Sequence, residues 1–264
     1  ELSYVKSEVT DSSIWIAIDD GPQVQASEDQ NLVTADAERS LQSLTLQDQW
    51  QINDQLEVTT GLRFDDYDDW GNAFSPRLAA VWRYSDQHLF KFQYAQAFRP
   101  PTLANQYPGP NIFPGAVFTP LNEEKIATSE LAYIHRGTTY QFRSTVFYSE
   151  VKDLIEFFIQ PGNPPEWRNR GDISAAGVEL EWQQEINRHW QWDANLAYTD
   201  TDDRNDEDSA LFGSVEWLGN VSLSWMPTPT LRHTLAAHYT GRQEGSDTLS
   251  FLPHQHFDAY TTLN

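Results

Sequence analysis

Apolar and polar residues alternate with a period of two along most of this chain, and the alternating segments are joined by short and long connections in turn. In Gln55–Asp66, Leu56, Val58, Thr60, Leu62 and Phe64 share one face, while Glu57, Thr59, Gly61, Arg63 and Asp65 share the other. Leu89–Phe98, Ala176–Gln183 and Trp190–Thr199 read the same way, with Phe90, Phe92, Tyr94, Val178, Leu180 and Leu196 opposite Lys91, Gln93, Glu179, Glu181 and Asn195. Side chains of a strand point alternately to its two faces, so this pattern predicts strands with one apolar and one polar side. The predicted strands are Arg39–Ile52, Gln55–Asp66, Ser75–Tyr84, His88–Phe98, Glu123–Arg136, Thr139–Val151, Ile173–Ile186, Trp190–Asp200, Val215–Trp225, Leu231–Gly241 and Phe257 onward, with a further strand at Leu2–Val9.

The connections narrow the fold class further. Asn53-Asp54, Ser85-Asp86-Gln87, Gly137-Thr138, Asn187-Arg188-His189 and Pro227–Thr230 are short. Residues 67–74, 99–122, 152–172, 201–214 and 242–256 are long and fall between them. Short turns at one end and long loops at the other are the plan of an antiparallel transmembrane β-barrel. A sandwich or propeller also alternates in period two but has no reason to keep this order of connection lengths. Strands in lipid must pair every backbone group, which only a closed sheet achieves. The apolar faces then meet lipid and the polar faces, carrying Glu57, Arg63, Arg77, Arg83, Lys91, Glu130, Arg143, Glu179 and Glu181, meet a wet lumen.

Composition agrees with an all-β membrane chain. The mean hydropathy is -0.60, and no apolar run approaches the roughly 20 residues of a membrane helix. Aromatic residues make up 13% of the 264, with 10 Trp, 11 Tyr and 14 Phe, as expected where girdles mark two membrane interfaces. There is no Cys, which removes disulfides and thiolate metal sites. The formal charge of -22 argues against a nucleic-acid partner. Its acid is clustered at Asp65, Asp66, Asp68 and Asp69 and at Asp200, Asp202, Asp203, Asp206, Glu207 and Asp208, which read as solvated loops. No signal peptide is visible at Glu1, and both ends read as cut.

Three stretches carry a resemblance. Thr60-Gly61-Leu62-Arg63-Phe64-Asp65 is followed by Phe74-Ser75-Pro76-Arg77-Leu78-Ala79. Tyr94-Ala95-Gln96-Ala97-Phe98-Arg99-Pro100-Pro101-Thr102-Leu103 is followed by Leu121-Asn122-Glu123-Glu124 and Ser129-Glu130-Leu131. Phe147-Tyr148-Ser149-Glu150-Val151-Lys152-Asp153-Leu154-Ile155 precedes Asn169-Arg170-Gly171 and Gly177-Val178-Glu179-Leu180-Glu181. In this order and spacing they resemble the barrel of the TonB-dependent receptors, in its later part. The resemblance implies a 22-stranded barrel with an N-terminal plug in the bacterial outer membrane, among lipid and lipopolysaccharide. It also implies TonB-energised uptake of a scarce solute such as an iron-siderophore complex or cobalamin. Neither plug nor TonB box is found in these residues, so this segment alone is not expected to transport.

Candidate site residues follow from loop length and chemistry. The loop Phe98–Asn122 is stiffened by six prolines, and its Arg99, Tyr107, Phe113 and Phe118 are expected to meet the ligand, together with Trp167 in the next long loop. Asp202, Asp203, Asp206 and Asp208 are candidate Ca²⁺ ligands by oxygen chemistry alone, since their spacing matches no fixed loop signature. His254 and His256 would share a face in an extended segment, as a metal pair would, but a further ligand is lacking. Glu179 and Glu181 also share a face; as lumenal wall residues they give no reason to expect an enzyme. Two rival readings stay open: a passive or surface-binding barrel, and a secreted carbohydrate-active enzyme suggested by the many Trp and acids.

Overall fold

A computed structural model describes residues 1–9, 15–16, 24–25, 37–107, 120–158, 166–204, 214–243 and 254–263. In chain order its strands are β1 (Leu2–Val9), β2 (Trp15–Ile16), β3 (Val24–Gln25), β4 (Ala37–Gln51), β5 (Leu56–Tyr67), β6 (Gly71–Arg83) and β7 (His88–Arg99). After the short helix α1 (Leu103–Gln106) come β8 (Glu124–Arg136), β9 (Tyr140–Lys152), β10 (Leu154–Phe158), β11 (Glu166–Arg170), β12 (Ile173–Asn187), β13 (Trp190–Asp203), β14 (Trp217–Thr228), β15 (Leu231–Thr240) and β16 (His254–Leu263). Twelve of them form one antiparallel meander in the order β1-β4-β5-β6-β7-β8-β9-β12-β13-β14-β15-β16. The pairs β2–β3 and β10–β11 are separate hairpins within the long connections.

Register confirms that the two faces differ as the alternation predicts. One row across the outer face runs Ala80, Phe92, Leu131, Val146, Val178, each directly paired to the next. The row beside it on the inner face runs Val81, Lys91, Ala132, Thr145, Glu179. Every charged residue expected in the lumen falls on this second face. The outer face leaves Leu46, Leu131, Val146, Leu196 and Leu235 exposed, as a lipid-facing surface must. Buried polar groups such as Ser43, Asp65, Thr145, Ser224 and Thr234 are as prominent as buried apolar ones, so the sheet has no oily core of its own.

A stacked belt of rings marks the short-turn end of the outer face. Trp82 lies on Phe90 at 5.3 Å, Phe90 on Tyr133 at 5.1 Å, Tyr140 on Trp182 at 4.9 Å and Trp190 on Trp225 at 6.0 Å. Amphipathic rings prefer the boundary between hydrocarbon and water, so this belt places one membrane interface.

The connection expected at 67–74 is corrected. It shrinks to Asp68–Trp70, because β5 and β6 stay paired as far as Tyr67 and Gly71. Gly71 closes the hairpin at φ 138, a conformation that side chains rarely adopt. At Gly177 a Cβ would lie 2.5 Å from the Phe147 ring and 2.4 Å from the Tyr198 carbonyl, so the aromatic covers a position only glycine fits.

Pro76 has a different consequence. Arg83 donates its backbone N–H to the carbonyl of Gln55, just before β5, and backbone groups alternate direction along a strand. Pro76 therefore faces β7, where it has no N–H to give. The β6–β7 ladder stops at Arg77↔Ala95, one residue short of the proline. Above it the Gln96 side chain donates to the freed Phe74 carbonyl at 3.3 Å.

A candidate ligand site at the loop end

The parting of β6 and β7 opens a space at the loop end that is filled by rings. Trp70 stacks on Phe98 at 6.3 Å, and Tyr67 meets both edge-on at 5.9 and 6.2 Å. The Trp70 indole N–H donates to the Leu121 carbonyl at 3.1 Å, tying the return of the Pro-rich loop to the neighbouring hairpin. Leu121 and Leu103 are buried, and Pro101 is fully enclosed.

The outgoing side of the loop is fixed by a buried ion pair. Arg39 on β4 donates to both Asp69 carboxylate oxygens through the Nε and Nη2 of one guanidinium edge, at 2.9 and 2.8 Å, with side chains only 11% and 7% exposed. The same guanidinium donates to Gln106 at 3.1 Å. Gln106 ends α1, whose first turn is capped by Thr102: its hydroxyl accepts from the Asn105 N–H, and the Thr102 N–H donates to Asn105 Oδ1. Such reciprocal capping satisfies donors that a one-turn helix would otherwise expose.

On the other side the loop base is tied to the β10–β11 hairpin. Glu124, 7% exposed, accepts from the Arg99 guanidinium at 2.6 Å and from the Ile155 N–H at 2.8 Å. Asn169 accepts from the Asn122 N–H at 2.8 Å and donates to the Asn122 and Asp153 carbonyls at 3.1 and 2.6 Å. Asp153 takes φ 55, a left-handed turn that Asp tolerates better than most residues. On the hairpin, Trp167 packs on Phe157 at 5.0 Å and the Arg168 guanidinium sits 3.3 Å over the Phe158 ring. Arg170 reaches Glu156 and Asp203 at 3.3 and 3.8 Å.

The expected site residues divide accordingly. Arg99 is engaged with Glu124 at the loop base. Tyr107 follows α1 and is 37% exposed, and Trp167 stands on the hairpin with its indole N–H buried and without a partner among the described residues. Phe113, Phe118, Asp206 and Asp208 lie outside the described residues. Asp202 and Asp203 are consecutive on β13 opposite Ser174 and Ile173, so they project to opposite faces and do not converge on one point. His256 lies 2.9 Å from Asp258, a neighbour on its own strand, and the His254 side chain is outside the description.

The first acidic cluster is corrected in part: Asp65, Asp68 and Asp69 are structural acceptors, while Asp66 is exposed. Asp65 is fully buried, receiving the Arg63 guanidinium at 2.7 and 2.8 Å and the Ser43 hydroxyl. Asp68 accepts the Ser40 N–H at 2.8 Å, which holds its carboxyl below the ordinary range. Sequence alone assigns no role at this site to Arg39, Gln106, Glu124 or Asn169. Glu124 and Asn169 stood inside recognisable motifs, but nothing local pairs them with Ile155 or Asn122.

Removing Glu124 is expected to loosen this junction. Glu124→Ala leaves the Ile155 N–H without an acceptor, at a cost of about 1–3 kcal/mol; the largely exposed Arg99 adds little. Glu124→Gln keeps an acceptor and should cost less. Amide exchange at Ile155 reads both, and equal protection in wild type and the alanine variant would refute the junction.

A family model described as TonB dependent receptor-like, beta-barrel matches residues 6–264. The chain belongs to that family. It is an outer-membrane β-barrel chain. Over 220 residues it is 24% identical to the iron-regulated outer membrane virulence protein of Vibrio cholerae, a match covering 75% of this chain and 33% of that one. It is equally 24% identical to the ferric enterobactin receptor PirA of Pseudomonas aeruginosa, over 77% of this chain and 30% of that one. The chain thus spans about a third of the length of the curated relatives it matches. The crystal structure of a mutant of the ferric enterobactin receptor PfeA of Pseudomonas aeruginosa superposes with a TM-score of 0.76 at 19% identity, over 87% of this chain and 38% of that one. The FrpB iron transporter of Neisseria meningitidis gives 0.71 at 14% identity, over 88% and 39%. Two of these relatives are named as ferric enterobactin receptors and one as an iron transporter.

Proposed function

We propose that this chain is the loop-bearing wall of a receptor that captures a ferric siderophore at the cell surface and passes it inward with energy from TonB. The reading rests on one structural observation within a receptor family: the base of the 99–122 loop is clamped between the Asp68–Trp70 hairpin on one side and β10–β11 on the other. A clamped base lets the aromatic groups above it meet a ligand with less ordering cost. Tyr107, Phe113, Phe118 and Trp167 supply ring surface in this reading, and Arg99 holds the loop through Glu124. Relatives named for ferric enterobactin and for iron regulation favour an iron chelate over cobalamin as the solute.

Deleting residues 108–119 in the full-length receptor tests the role of the loop while sparing Gln106 and Leu121. Siderophore binding should fall at least tenfold with the barrel still folded and heat-modifiable. Undiminished affinity would remove the loop from the site. The orientation is tested by cysteines at Asp86 and Asn205: an impermeant label on intact cells should reach the second and not the first. The opposite labelling would invert the barrel and remove the proposed capture face.

A further inference from the structure

We infer that His88 and His135 form a site on the outer face for the phosphodiester of a membrane glycerophospholipid. They are direct partners across β7 and β8, at the last rungs before the short turns. Their rings stack at 4.6 Å with only 14° between planes. Each Nδ1 is held by a tyrosine hydroxyl: His88 by Tyr133 at 2.7 Å and His135 by Tyr140 at 3.1 Å. With the hydroxyl as donor to Nδ1, the ring proton sits on Nε2, and an imidazolium carries a proton there too. Neither Nε2 has a partner among the described residues, and neither ring has a carboxylate partner there. Two adjacent N–H donors are thus left for something outside the protein.

Position identifies the occupant. Both histidines share the outer face with Trp82, Phe90, Tyr133, Tyr140 and Trp182, whose rings form the short-turn belt. They lie on the turn side of Phe90 and Tyr133, where the hydrocarbon gives way to headgroups. The group at that depth rich in acceptor oxygens is the lipid phosphate, and two side-by-side donors match two oxygens of one phosphodiester. The inference needs the membrane placement of the family and is independent of which solute is carried.

The test uses the full-length receptor in a neutral detergent, titrated with phosphatidylglycerol and, separately, with phosphate-free diacylglycerol and with lipid A. Retained lipid is counted by native mass spectrometry. Wild type should hold phosphatidylglycerol and not diacylglycerol. H88F/H135F keeps the ring stack but removes the donors, and should weaken retention roughly tenfold, as two hydrogen bonds warrant. If that variant is not heat-modifiable, Y133F/Y140F, which frees Nδ1 without touching the imidazoles, should show a smaller loss in the same assay. Retention of phosphatidylglycerol unchanged by the folded variants would overturn the site. Displacement of phosphatidylglycerol by equimolar lipid A on wild type would overturn its assignment to a glycerophospholipid.

Discussion

Replacing Arg39 with Met is expected to release α1 and the loop that follows it, at a cost of about 3–5 kcal/mol, because Asp69 is left buried without a counter-charge. Gln106 loses its donor at the same time. The penalty is local. Pairing of β4 with β5 does not depend on this side chain, so the barrel should still fold and remain heat-modifiable. The loss should appear as faster amide exchange at Asn105, Gln106 and Tyr107, whose N–H groups bond to Thr102 and Leu103 within α1. Taking both charges away with R39M/D69L should recover much of the stability, since a well-packed apolar pair avoids the desolvation that a lone carboxylate suffers. Slow exchange in R39M alone, equal to wild type, would mean that the ion pair does not hold the loop.

A charge placed on the outer face tests the membrane reading itself. Leu131 sits between Phe92 and Val146 near the middle of β8. Leu131→Arg should cost roughly 2–4 kcal/mol when the full-length receptor is folded reversibly into lipid vesicles. Gln93 lies on the other face, directly opposite Glu130. Gln93→Arg should change stability by less than about 0.5 kcal/mol, because it enters a wet lumen beside a carboxylate. Equal costs at the two positions would contradict the assignment of the faces.

How much of this was legible differs between strand and loop. Leu56, Val58, Leu62 and Phe64 announce a strand with one apolar face, and the register of β5 against β4 and β6 keeps them there. The short turns at Asn53-Asp54 and Gly137-Thr138 fell where expected. The hairpin at Asp68–Trp70 did not, because four aspartates in one short stretch look like a solvated loop until Arg39, Ser40, Ser43 and Arg63 are seen to receive three of them. Likewise the helical turn at Leu103–Gln106 and the hairpin Leu154–Phe158 with Glu166–Arg170 were hidden inside stretches that read as loop. One turn or five residues is too short for a period to declare itself.

The sequence by itself determined that the chain crosses a membrane as an antiparallel sheet, which face meets lipid, and at which end the loops gather. Those properties depend on neighbours two residues apart and on connection length, and both are written along the chain. The tertiary structure alone decided which loop residues hold each other. Arg39 meets Asp69 and Gln106 across 30 and 67 residues, and Glu124 meets Ile155 across 31. Such pairings arise only once the meander has brought strand ends together. An arginine or a glutamate in a line of sequence carries no sign of whether it will anchor a loop or touch a ligand, because that depends on which opposite charge the folded sheet places beside it.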